Sequence, residues 1–126
     1  MALRPTTPQV VVISDNSETL DGLQAYFAGV GIHTRSFRSL QLARAIPAAT
    51  TALVVFPDEL PLADVVEDLA AVREQQPWLL LLLITAHPQR FAALSRDGHP
   101  VQAIVLPKPG FGWTIVDAIR HHAEGG

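Results

Sequence analysis

Three short, uninterrupted apolar runs constrain this chain most: residues 10–13 (VVVI), 52–56 (ALVVF) and 79–84 (LLLLLI). A strand with one wet face alternates apolar and polar residues; none of these runs alternates, so each is covered on both faces. Such strands belong to parallel sheets, whose crossover connections lay helices on both sides. The stretches between them carry helical spacing. Leu20, Leu23, Phe27 and Val30 form one stripe, closed by Gly29 and Gly31. Val65, Val66, Leu69 and Val72 form another, with Glu67, Asp68, Arg73 and Glu74 largely opposite.

The remaining elements are weaker. A polar strand over 32–37, with His33 and Arg35, reads as a sheet edge. Ser39 opens a short helix with Leu42, Ala43 and Ile46 inward, stopped by Pro47. A weak helix over 89–95 and the turn cluster Asp97-Gly98-His99-Pro100 lead to a fifth strand over 101–106. A last helix, starting near Phe111, is expected to turn Trp113, Val116 and Ile119 inward. Strands alternating with helices across short turns mean βαβ units with right-handed crossovers. The fold class expected is therefore α/β: a flavodoxin-like, doubly wound, five-stranded parallel sheet of order 2-1-3-4-5 with helices on both faces.

Length and composition agree with a single domain. At 126 residues and 48% apolar, the chain can bury one core without staples. Residues 1–8 read as a disordered leader and 9–124 as the domain, with no output segment expected after the last helix. Net charge is −3 and the basic residues are scattered, which excludes a footprint for nucleic acid or a membrane surface. Cysteine is absent, which excludes disulfides, thiol catalysis and thiolate metal sites. The opening residues MALRPTTPQ lack the apolar core expected of a signal peptide, and the longest apolar run falls short of the roughly 20 residues needed to cross a bilayer. A cytoplasmic location is expected. His33, His87, His99, His121 and His122 have no metal-ligand spacing.

In such a sheet the C-terminal ends of strands one, three, four and five converge on one crevice. Those ends hold Asp15, Asp58 with Glu59, Thr85 and Lys108. Carboxylates beside a hydroxyl and a lysine suit a hard cation together with a phosphoryl group.

The pieces VVVISDN, ALVVFPDELP, LLLITA and IVLPKP, spread over nearly the whole chain, resemble the receiver domain of two-component response regulators. The resemblance implies a role in signal transduction, a cis Lys108–Pro109 peptide, and Thr85 and Lys108 as phosphoryl contacts. It also exposes departures. Receivers carry two adjacent acids after strand one, where this chain has Ser14-Asp15. Their phosphoacceptor stands four residues before the proline of the third strand's exit turn; counted from Pro61, that position is Pro57, and Asp58 comes one residue late. Val105 stands where many receivers have an aromatic switch residue.

These departures give the expectation of a degenerate receiver, or pseudo-receiver: not an enzyme, without a cofactor, recognising a protein partner such as a kinase or output protein. Asp58 is expected to be a solvated residue capping the next helix, because neighbours along a strand point to opposite faces. A bulge at Pro57 would turn it back. Asp15 is expected to sit at a helix N-terminus, and Lys108 to pair with Asp15 or Asp58. The alternative is phosphorylation of Asp58 with Mg²⁺, for which Asp15 and Asp58 are the metal candidates. The partner surface implied by the resemblance spans the fourth helix, fifth strand and fifth helix through Phe91, Leu94, His99, Gln102 and Trp113. A second copy of the chain is another candidate for that face. A small-molecule site in the flavodoxin manner is disfavoured, because no glycine-rich phosphate loop follows strand one.

Overall fold

A computed structural model describes residues 9–47, 50–109 and 112–125. The strands are β1 (Gln9–Ile13), β2 (His33–Phe37), β3 (Ala52–Val55), β4 (Leu80–Thr85) and β5 (Ile104–Pro107). The α-helices are α1 (Ser17–Gly29), α2 (Leu62–Gln75), α3 (Pro88–Phe91) and α4 (Gly112–Gly125). All pairings are parallel, and the sheet order is β2-β1-β3-β4-β5. This is the expected architecture.

Strand alternation sorts the core into two layers. Val10, Val12, Ala52, Val54, Leu80, Leu82 and Ile84 face Leu20, Leu23 and Phe27 of α1 and Ile115, Val116 and Ile119 of α4. Val11, Ile13, Leu53, Val55, Leu81 and Leu83 face Val65, Leu69 and Val72 of α2, with Phe91 and Leu94 beside them. Every residue of β3 and β4 is buried, as their unbroken apolar runs require. Burying one such side chain stabilises the fold by about 1.5–3 kcal/mol.

Four expectations need correction. The short helix after Ser39 is a 3₁₀ segment, Leu40–Ala45. Leu40 and Ala43 are its buried residues, and Leu42 is exposed. Residues three apart eclipse one another in a 3₁₀ turn, so an i, i+3 pair suffices to fix its inner face. The weak fourth helix likewise reduces to α3 followed by a 3₁₀ turn, Ala92–Ser95. The fifth strand begins at Ile104 rather than residue 101. The Arg73 guanidinium takes the carbonyls of Val101 and Gln102 at 2.9 and 3.1 Å, and the Ala103 amide donates to Leu94. Those backbone groups are thus engaged outside the ladder, and Gln102 adopts a left-handed φ of 51°. Finally, Trp113 is 55% exposed, and Ile115 takes the inward position in its place. The leader at 1–8 and Phe111 lie outside the described residues.

Candidate functional site

The site is built where β3 stops being a strand. The Phe56 amide still donates to Ile13, at 2.9 Å, and then a turn closes with the Leu60 amide donating to Pro57 at 2.9 Å. Pro57 is buried and Glu59 exposed. The rule that neighbours point to opposite faces ends with the strand, and the turn sends Asp58 back over the sheet's C-terminal edge. Asp58 therefore neither faces solvent nor caps α2, whose N-cap residue is Pro61. Its side chain is only 12% exposed.

Three donors meet the Asp58 carboxylate. The Thr85 hydroxyl donates to Oδ1 in a very short hydrogen bond. The Ala86 amide donates to Oδ2 at 2.9 Å, and Lys108 Nζ lies 3.0 Å from the same oxygen. Thr85 is fully buried at the end of β4, and its hydroxyl in turn accepts from the His87 amide at 2.9 Å. The Lys108 backbone is held by its amide, which donates to the Thr85 carbonyl at 2.9 Å; the Lys108–Pro109 peptide bond is cis. Burial pushes the Asp58 carboxyl up, but the Thr85, Ala86 and Lys108 hydrogen bonds and the lysine's charge outweigh it. The net shift is downward, which keeps the group ionised.

The β1 end contributes differently. Ser14 is buried and its hydroxyl accepts from the Asn16 amide at 3.1 Å. Asn16, rather than Asp15, caps α1 by accepting from the Thr19 amide at 3.0 Å. Asp15 is exposed; its backbone carbonyl accepts from Arg38 at 2.9 Å. Among the described residues its carboxylate has no hydrogen bond or ion pair, so Lys108 pairs with Asp58 alone. Val105 is half-buried.

Asp15 and Asp58, the two metal candidates, are not joined by a third ligand side chain among the described residues. Both Asp58 oxygens already accept from donors, one of them a cation.

Sequence reasoning passed over two contributors. The Ala86 amide is a backbone group that no residue type announces. Arg90 donates to the Leu60 carbonyl at 3.0 Å and covers the Phe91 ring at 4.8 Å, tying α3 to the Asp58 turn. The expected partner face is also redrawn. Phe91 and Leu94 are core residues with 0% and 2% exposure, because the 3₁₀ turn rolls them onto β4 and β5. Gln102 and Trp113 are exposed, and the partly buried His99 accepts from the Val101 amide at 3.0 Å. Ile104, which was not anticipated, is also exposed.

No family model and no curated protein sequence matches the chain. Solved structures do. A response regulator receiver protein from Sinorhizobium medicae superposes with a TM-score of 0.77 at 16% identity, covering 94% of this chain and 95% of that one. The signal receiver domain of an HD domain-containing protein from Pseudomonas fluorescens gives 0.74 at 19% identity, covering 95% and 97%. A protein from Burkholderia thailandensis named for pilus assembly (CpaE) gives 0.72 at 19% identity, covering 94% and 99%. The chain thus carries the CheY-like fold of response regulator receiver domains.

Proposed function

We propose that this chain is a receiver-like signalling module that recognises a protein partner without taking up a phosphoryl group. One observation carries the reading: the carboxylate at the crevice, Asp58, is already engaged on both oxygens by Thr85, Ala86 and Lys108. An acceptor attacks phosphorus with a carboxylate lone pair and needs a cation to offset the charge that develops. Here three donors hold both oxygens and draw on the lone pairs that would attack, and the Asp15 carboxylate makes no ion pair or hydrogen bond among the described residues. Pro57, at the position where the resemblance puts the acceptor, has no nucleophile at all. Partner recognition then falls to exposed residues such as Gln102, Ile104 and Trp113, offered to a signalling protein or a second copy.

Intact mass after incubation with acetyl phosphate and Mg²⁺, wild type beside Asp58→Asn, tests the reading. No phosphate adduct is expected on either folded protein. An adduct on the wild type alone would overturn it in favour of the second reading, in which Asp58 is a displaced acceptor. What favours that second reading is that Asp58 meets the hydroxyl and the lysine that would contact a phosphoryl group.

A further inference from the structure

We propose that His99 is a proton-sensitive clasp on the connection that leads into β5, closed when its ring is neutral and open when the ring is charged. The Val101 amide donates to His99 Nδ1 at 3.0 Å. A ring nitrogen accepts only through a lone pair, so Nδ1 bears no hydrogen and the ring carries its proton on Nε2. A charged imidazole has two N–H groups and no acceptor left. One added proton therefore sets two N–H groups against each other where a hydrogen bond stood. Imidazole is the side chain whose charge ordinarily changes between about pH 5 and 8. His99 is only partly buried, so protons from solvent reach it.

What the clasp holds is a strained stretch. Gly98 and Gln102 both adopt a left-handed φ, 84° and 51°, and the Cβ of Gln102 disfavours that region. Val101 is fully buried, so an amide released by His99 is left without water to replace the ring. The other ties on the stretch do not depend on a proton in this range. The His99 amide donates to the Arg96 carbonyl at 3.1 Å, and the Ala103 amide to Leu94 at 2.9 Å. Arg73, always charged, holds the carbonyls of Val101 and Gln102. The charged side chains around the turn are Arg96 and Asp97 within it, and Arg44, Glu67, Arg73 and Glu74 along the groove beside Pro100. Among the described residues none of them bonds to the ring. Opening the clasp frees Gln102 to leave the left-handed region, while Arg73 keeps the stretch tethered. Gln102 and Ile104 are exposed, so acid reshapes residues offered to a partner; that meaning, though not the clasp itself, rests on the receiver-like reading.

Nuclear magnetic resonance on the isotope-labelled full chain, titrated from about pH 8 to about pH 5, tests the clasp. The Val101 amide resonance should move along the titration curve of the His99 ring. Its hydrogen-exchange protection, corrected for the intrinsic effect of pH, should fall by about tenfold. His99→Ala should show the open position before any acid is added. His99→Asn is the sharper variant, because an Asn side chain takes the amide two residues on without titrating. Its Val101 amide should keep its protection to the acid end of the series. Should His99→Ala not fold, wild type beside His99→Asn decides alone. The clasp is refuted by a ring that stays neutral to the acid end, or by one that titrates while the Val101 amide stands still. A His99→Asn amide that follows pH as the wild type's does would refute it equally. None of these readouts involves phosphorylation. An acyl phosphate on the wild type would overturn the non-acceptor reading and leave the clasp standing, and a Val101 amide indifferent to the ring would sink the clasp alone.

Discussion

Asp58 and Lys108 leave strands that do not touch, β3 and β5, yet their charges meet at 3.0 Å across the end of β4. The pair closes the C-terminal edge of the sheet over its central strand. Its worth depends on which partner is lost. Asp58→Ala strips the acceptor from three donors and should lower stability by about 1–3 kcal/mol. Lys108→Met removes a side chain that is 40% exposed and leaves Asp58 with two neutral donors, so it should cost only about 0–1 kcal/mol. Urea denaturation of both variants and the double variant gives the coupling; equal losses would mean that the amide and hydroxyl bonds contribute nothing.

The Asp58 pKa lies below its unfolded value, and the sign of the pH effect follows. Its contribution to stability is fully present above about pH 4, the range of an unfolded aspartate, and is lost as pH falls through the lower folded value. The stability gap between wild type and Asp58→Asn should therefore be constant near neutrality and narrow only in strong acid. Urea midpoints at a series of pH values check this. A gap that changes between pH 6 and 8 would point to a different titrating group.

Among the described residues, Arg73 serves backbone alone. Its guanidinium donates to the carbonyls of Val101, Pro77, Leu79 and Gln102, and burial pushes its pKa down without a carboxylate to oppose it. Arg73→Met should destabilise by about 2–3 kcal/mol, and Arg73→Lys should recover little, since an ammonium cannot reproduce the planar fork. Gln102→Gly should do the opposite. At φ 51° glycine relieves a left-handed residue of its steric penalty, worth about 1 kcal/mol of added stability. Thermal unfolding of each variant decides.

Gly112 opens α4 against the Tyr26 ring, and a Cβ there would fall inside contact distance of three ring carbons. Tyr26 is 37% exposed, so its ring has an escape route into solvent. Gly112→Ala should cost about 1–3 kcal/mol and change the tyrosine's near-ultraviolet circular dichroism. In a Tyr26→Ala background the same substitution should be nearly neutral. A penalty that persists there would place the strain in the backbone instead.

The parts of this structure legible in the sequence are those governed by one period. β3 and β4 are read directly because burial on both faces leaves no polar residue in them, and their central place fixes the strand order. β5 is harder. Its approach, Val101-Gln102-Ala103, looks like strand, and only the reach of Arg73, 28 residues away, shows why it is not. Phe91 and Leu94 failed as surface residues for a related reason: eight residues of α-helix and of α-helix followed by a 3₁₀ turn are written alike but expose different sides. Asp58 marks the limit most clearly. Alternation predicts direction only while the strand lasts, and β3 ends before Pro57.

The Pro57–Leu60 turn has a consequence for anyone scanning other genomes' worth of sequence for crevices of this kind. Counting back from the proline of the exit turn, Pro61, looks for a carboxylate at one fixed address, and this chain misses that count by a single residue. The turn makes the address negotiable, whereas Thr85 ends a buried, paired strand and the Lys108 amide is bonded to it. A search keyed to the receiving end, a hydroxyl after one buried strand and a lysine-proline after the next, would collect displaced carboxylates that a fixed count discards.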